Sequence, residues 1–154
     1  MPSPVQTYSM RRASASEYEQ ALALRIHVFC DIQGFSREGE PDHYDKDAIH
    51  IVALTPDEAK VAAYLRIIEN TETPACAKLG RIVVSPDHQG KGLGKKLLEY
   101  AEEYVRETLG AVKTLKLGSQ FDKKAFYEKC GYEAKGDIYD DEGCPHIWMY
   151  KNIA

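Results

Sequence analysis

The stretch Gln89-Gly90-Lys91-Gly92-Leu93-Gly94 follows an apolar run, Leu79 to Val84, and precedes a long amphipathic segment, so it reads as a glycine-rich turn between a strand and a helix. The chemistry of such a turn is anion binding. Its backbone N–H groups converge on one place, and the positive end of the following helix adds to their pull on a phosphate. Glycine matters because a Cβ would keep phosphate oxygens out of hydrogen-bonding range. The spacing G-x-G-x-G matches neither the G-x-x-x-x-G-K-[ST] loop nor the dinucleotide turn G-x-G-x-x-G. A connection that held no ligand would not require three glycines at a helix start, where each loses backbone entropy.

A second segment, Ala125-Phe126-Tyr127-Glu128-Lys129-Cys130-Gly131-Tyr132, reads as a short helix closed by glycine. Phe126 and Cys130 lie at i and i+4 and predict a core face, with Tyr127 turned about 100° from Phe126 toward another surface.

Gln89, Gly92 and Gly94 occupy the fixed positions of a Q/R-x-x-G-x-G/A signature, and the second segment resembles A-x-x-F-Y-x-x-x-G-F/Y. Together they resemble the GNAT superfamily of acyl-CoA-dependent N-acyltransferases. That resemblance implies that the loop, Gln89, Gly90, Lys91, Gly92, Leu93, Gly94 and Lys95, binds the pyrophosphate of coenzyme A. It also implies that the strand edge Ile82, Val83 and Val84 binds the pantetheine arm, that Phe126 adjoins the cofactor, and that Tyr127 donates a proton to the departing thiolate. The residue suits the task, since a phenol of pKa about 10 is protonated at neutral pH and a thiolate of pKa about 8.5 can share its proton.

The attacking amine must be neutral, yet an ammonium of pKa about 10.4 is only about one part in a thousand neutral at pH 7.4. That gap costs roughly 4 kcal/mol, so a base or water chain has to take the proton. No Glu or Asp lies between Ala77 and Val84, where the family often keeps a base, which leaves Glu69, His50 and His146 as candidates. Cys130 lies on the inferred core face and lacks a nearby cationic pair in sequence to activate it, so direct attack in a ternary complex is expected, without an acyl-enzyme.

Further segments resemble the ElaA-like branch of that superfamily: Arg25-Ile-His-Val-Phe29, Gln33-Gly34, the acidic run to Asp47 with Ala48 and His50, Leu117-Gly-Ser-Gln120, and Gly143-Cys-Pro-His146-Ile-x-Met149. The resemblance covers nearly the whole chain and departs at Cys30-Asp31-Ile32. It implies acetyl-CoA as acetyl donor, a small primary amine as acceptor and a homodimer through the last strands. Two other functions share these motifs: acetylation of protein lysines or N-termini, and non-catalytic sensing of acyl-CoA.

The elements that must position these residues follow from periodicity. A first strand is predicted over Val5 to Arg12, and a helix capped by Ser14 and Glu17 presents Tyr18, Leu22, Ile26 and Phe29 and ends near Phe29. An acidic loop, Gln33 to Asp47, follows, then a hairpin of Ala48 to Leu54 and Val61 to Ile68, a turn over Asn70 to Pro74, and the strand Ala77 to Val84. The helix after the glycine loop buries Leu93, Leu97, Leu98, Ala101, Tyr104, Val105 and Leu109 and exposes Glu102, Glu103 and Arg106, with Gly110 at its end. A strand over Val112 to Leu117 should lie parallel to the Leu79 strand, since a helix joins them. Asp122 is placed to cap the helix Lys123 to Cys130, and strands Tyr132 to Ile138 and His146 to Lys151 close the chain. With the resemblance, this order implies an α/β, GNAT-like mixed sheet, mostly antiparallel, with helices on both faces.

A chain of 154 residues, 44% hydrophobic and 29% charged, fits one domain, 1–154. Its net charge of −4 gives no electrostatic case for nucleic acid. The four cysteines, Cys30, Cys76, Cys130 and Cys144, form neither a disulfide framework nor metal-site spacings, and no apolar run suits a membrane span. The cytoplasm is the expected compartment, with the nucleus also open. In the acidic loop Glu38, Glu40, Asp42, Asp45 and Asp47 face only Arg37 and Lys46, which predicts a negative field favouring a cationic amine.

Overall fold

The computed structural model describes residues 7–58, 60–70 and 75–154. The element order is β1 (Ser9–Arg12), α1 (Ala15–Arg25), β2 (Ile49–Leu54), β3 (Val61–Asn70), β4 (Cys76–Val84), α2 (Leu93–Thr108), β5 (Thr114–Gln120), α3 (Lys124–Lys129), β6 (Glu133–Ala134), β7 (Tyr139–Asp141) and β8 (Cys144–Asn152). One sheet runs β1-β2-β3-β4-β5-β8-β6, with β7 also paired to β8. Its described pairs are antiparallel except β4 with β5, which the crossover through α2 makes parallel. The start of the expected first strand, Val5 and Gln6, and most of the turn before β4, residues 71–74, lie outside the described residues.

The capping box forms as its spacing predicts: the Glu17 amide donates to Ser14 Oγ at 3.2 Å and the Ser14 amide donates to Glu17 Oε1 at 2.9 Å. The buried line of α1 is nevertheless shifted by one residue from the predicted face. Glu17, Ala21 and Arg25 are the buried positions, while Tyr18 and Leu22 are only partly covered. The helix also runs past Phe29, since a π-helical extension continues it over Ile26–Ile32. That wider winding, in which the Gln33 amide reaches the Val28 carbonyl at 3.0 Å, marks functional sites more often than plain helix does.

On α2 the predicted apolar face is the buried one, but Glu102 is buried with it. Its carboxylate accepts from Lys151 Nζ at 2.9 Å, and the same ammonium donates to the Cys130 carbonyl at 2.9 Å. This partner comes from β8, beyond the reach of helix periodicity. Gly131, at φ +94°, ends α3 as expected. Asp122 does not cap that helix; it sits in a short 3₁₀ turn, Phe121–Lys123, that leads into α3 without a side-chain cap. The last hairpin is tighter than predicted: β7 and β8 turn through Glu142 and Gly143, both at positive φ, as a two-residue right-twisting turn requires.

Parallel pairing of β4 with β5 stops at Leu79 and Leu117, although β4 continues to Val84 and β5 to Gln120. Beyond that point each strand keeps its outer neighbour, β3 and β8 respectively, and the two inner edges face each other unpaired. Ligands bind at this kind of split, beyond the carboxyl ends of parallel strands.

Candidate active site

A cleft of about 630 Å³ opens where β4 and β5 part. One wall is β4 itself. Tyr64 pairs with Val83 and Arg66 with Gly80, so β4 carries one residue more than β3 between these pairs. This bulge is taken up at Arg81, held at φ +50°, and it presents the backbone from Gly80 to Val84 to the cleft.

The glycine loop closes one end. Gln89 Nε2 donates to the Val84 carbonyl at 3.2 Å, which folds the loop back onto the end of β4. Gly90 and Gly92 take φ of +76° and +73°. Gly92 is the N-cap of α2 and supplies no side-chain bond, so the first amides of the helix remain available to an anion. A Cβ on Gly94 would lie 3.3 Å from the Phe126 ring, so this glycine lets α2 and α3 meet at the cleft. These features fit the pyrophosphate and thioester arm of a CoA thioester. Ile82, Val83, Val84, Gln89, Gly90, Gly92, Leu93, Gly94, Lys95 and Phe126 all line the cleft, whereas Lys91 is exposed and is not among its lining residues.

Gly92→Val should weaken CoA binding by at least about tenfold, because a β-branched residue is strained at positive φ and its side chain occupies the anion's approach. Calorimetry on the folded variant checks this, and unchanged affinity would remove the loop from the cofactor site.

Tyr127 and Phe126 exchange the roles that helix periodicity predicted. Tyr127 is buried in the main core cluster with its edge on the cleft, while Phe126 is 40% exposed and faces the cleft. No protein hydrogen bond reaches the Tyr127 hydroxyl among the described residues. Burial, and then the neighbouring Cys130, push its pKa up, so the phenol stays protonated. Cys130 lies partly buried against the same core, and burial raises its thiol too, which leaves it a poor nucleophile.

The three candidate bases separate by geometry. Glu69 is exposed and pairs with Ala77 near the start of β4, the end opposite the split, so the fold does not bring it to the cleft. His50 has both ring nitrogens engaged, Nε2 to the Asp45 carbonyl at 2.8 Å and Nδ1 to the Tyr64 hydroxyl at 2.6 Å, and burial lowers its pKa. His146 lines the cleft and is only 7% exposed. Its Nδ1 meets the Cys144 carbonyl at 2.9 Å, and a carbonyl only accepts, so Nδ1 carries the proton and Nε2 keeps its lone pair. Asp141 Oδ2 stands 3.9 Å from Nε2, where it would meet the charge the ring gains on taking a proton.

The far end of the cleft is roofed. Gln120 Nε2 donates to Gln33 Oε1 at 2.8 Å, the Ser36 amide donates to Glu142 Oε1 at 3.1 Å, and Phe35 meets the His146 ring edge-on. Thus the loop after α1 and the β7–β8 hairpin meet across the opening.

That loop does not carry the negative field its composition predicts. Arg25, fully buried, reaches Asp45 at 2.6 and 3.0 Å and also pairs with Glu40. Arg66 binds Asp42 at 2.6 and 2.8 Å, and Arg81 reaches Glu40 at 2.6 Å and Asp42 at 3.1 Å. Three of the five acids, Glu40, Asp42 and Asp45, therefore meet arginines from α1, β3 and β4, and only Glu38 and Asp47 stand exposed. Sequence reasoning missed this network, along with Lys78, Tyr139 and Trp148 on the cleft. The available signal was Arg66, Lys78 and Arg81 standing inside otherwise apolar strands.

The model of the acetyltransferase (GNAT) family matches residues 12–132, and the chain belongs to that family. Escherichia coli ElaA is 28% identical over 141 residues, 91% of this chain and 90% of its own. The crystal structure of ElaA superposes with a TM-score of 0.81 at 26% identity, over 96% of this chain and 99% of that one. An acyl-CoA N-acyltransferase from Pseudomonas aeruginosa gives a TM-score of 0.80 at 26% identity, over 95% of this chain and 99% of that one. A UPF0039 protein of Schizosaccharomyces pombe is 33% identical over 126 residues, 82% of this chain and 81% of its own. Within the family the chain is thus ElaA-like.

Proposed function

We propose that this GNAT chain works as a single N-acetyltransferase domain, moving an acetyl group from acetyl-CoA to the primary amine of a small molecule by direct attack in a ternary complex. The observation that carries the reading is the split between β4 and β5, with an anion-binding loop at one end and a roofed pocket at the other. Acetyl-CoA supplies the acetyl thioester. The residues of this chain do the rest: the loop amides hold the pyrophosphate, β4 aligns the arm, His146 Nε2 takes the proton from the amine, and the Tyr127 hydroxyl donates to the sulfur as charge builds on it.

The roof favours a small acceptor over a protein segment, because a peptide needs an open groove and here Gln33–Gln120 and Ser36–Glu142 cross the opening. Among the described residues no helix is long and apolar enough to cross a membrane, and the cytoplasm is the proposed compartment. A panel of amines and lysine peptides with detection of released thiol tests the whole reading. Amine-dependent release is the expected result; CoA binding with no release on any member would make the chain a sensor.

His146→Gln should lower kcat/KM by about tenfold near neutral pH, with solvent taking the proton in its place. The two proteins should converge as pH rises toward the amine's own pKa. Parallel profiles across the range would return His146 to a structural role.

A further inference from the structure

On one face of the sheet, β4 and β5 set Lys78 directly opposite Lys116, and β8 sets Tyr150 opposite Lys116 and Trp148 opposite Gly118. Lys78 Nζ lies 5.1 Å from the centre of the Trp148 ring and Lys116 Nζ lies 4.2 Å from it. The ring faces offset part of the charge, but like charges set opposite one another destabilise a sheet. Among the described residues neither lysine has a carboxylate at ion-pairing distance. The acid that acts on Lys78 is Asp42, and it is already bonded to Arg66 and Arg81. Burial, and then the charges of Arg66, Lys116 and Arg81, push the Lys78 ammonium down.

This is a built surface inside the cleft, not a solvated rim. Lys78, Gly118, Tyr139 and Trp148 all line it. A Cβ on Gly118 would fall 2.3 Å from the Tyr139 hydroxyl and 3.5 Å from the Trp148 ring, so glycine is what lets both aromatics lie down on β5. The acids of the same wall are engaged elsewhere: Glu40 with Arg25 and Arg81, Glu142 with the Ser36 amide, and Asp141 beside His146.

Resting on the acetyl-transfer reading of the cleft, we propose that the acceptor amine also carries an anionic group, a carboxylate or a phosphate, which Lys78 holds beside Trp148. An anion there compensates the facing lysines and accepts the donors that Lys78 offers, three per ammonium. Anchored at that point, the acceptor can turn its amine toward the split between β4 and β5. A polyamine would instead bring a second cation among Lys78, Lys116 and Arg66, which repel it.

The test compares glycine, β-alanine and γ-aminobutyrate with their amides, and ethanolamine phosphate with ethanolamine, with putrescine as the dication. Both turnover and binding to the CoA-saturated protein are followed. The anionic member of a pair should be favoured by at least about tenfold in kcat/KM, as a charged hydrogen bond implies. Lys78→Met should bring that ratio close to one, and Lys78→Arg should retain most of it and guard against a folding defect in the first variant. The carboxylate and phosphate arms tell which anion is held. A preference for amides or putrescine, or a ratio unmoved by Lys78→Met, overturns the proposal. Turnover without discrimination keeps acetyl transfer and removes the subsite, whereas Lys78-dependent binding of the anionic amine without turnover keeps the subsite and removes acetyl transfer.

Discussion

Tyr127→Phe is expected to lower kcat by roughly 10²-fold or more with the best amine found, while the KM for acetyl-CoA changes little. The ring stays where it packs, in the core with Tyr132 and Phe126 around it, so the fold and the cleft keep their shape. Only the hydroxyl is lost. In the ground state that hydroxyl has no protein partner among the described residues, and so its removal leaves no buried group unsatisfied. In the transition state the same group donates to a sulfur on which charge is building, at the edge of the cleft that Tyr127 lines. Because burial raises its pKa, complete transfer to a thiolate of pKa about 8.5 is uphill, and the hydroxyl acts chiefly as a hydrogen-bond donor whose bond strengthens as the sulfur leaves. Steady-state kinetics with thiol detection decide it. A variant that turns over at the parental rate would assign stabilisation of the departing sulfur to another group or to water.

Asp45→Asn is expected to destabilise the protein by about 3–5 kcal/mol, because it leaves the buried Arg25 guanidinium with much less than its compensating charge. Arg25 is fully buried and Asp45 is 6% exposed, so water cannot make up the loss. The effect is also a pH effect. Burial alone would raise the Asp45 pKa, but the Arg25 hydrogen bond, the Asp42 amide and the charges of Arg25 and Arg66 overcome it and hold this carboxyl well below the usual range. Asp42 is held low by Arg66 and Arg81 against the same penalty. A carboxyl with a depressed folded pKa adds stability that is present above its unfolded value, about 3.9, and is lost as pH falls through the folded value. The parental Tm should therefore drop as pH falls below about 4. In Asp45→Asn it should start lower at pH 7 and fall less steeply. Equal slopes in the two proteins would mean that Asp45 contributes no linkage. Since the same network ties the loop after α1 to β3 and β4, a rise in acceptor KM should accompany the loss of stability.

What could be read from the amino-acid sequence alone was whatever lies within one turn of helix, one strand or one loop. The Ser14–Glu17 capping box, the apolar stripe of α2, the glycine turn and the parallel relation of β4 to β5 all follow from spacings of a few residues and from the handedness of a strand–helix–strand crossover. The anion-binding end of the cleft was legible for the same reason, since amides at a helix start need only glycine and a preceding strand. What only the tertiary structure decided was which charges meet. Arg25 has its acids at Glu40 and Asp45, Arg66 and Arg81 have theirs on the same loop, and Glu102 has Lys151, all separations that no periodicity reports. A loop that looked acidic thus became nearly neutral, and the cleft wall acquired an uncompensated cation at Lys78, because the order of strands in the sheet sets side chains distant in sequence face to face. The exchange of Phe126 and Tyr127 has the same origin: a helix of six residues has too few turns to set its own orientation, and its packing against β5 and β6 chose the face.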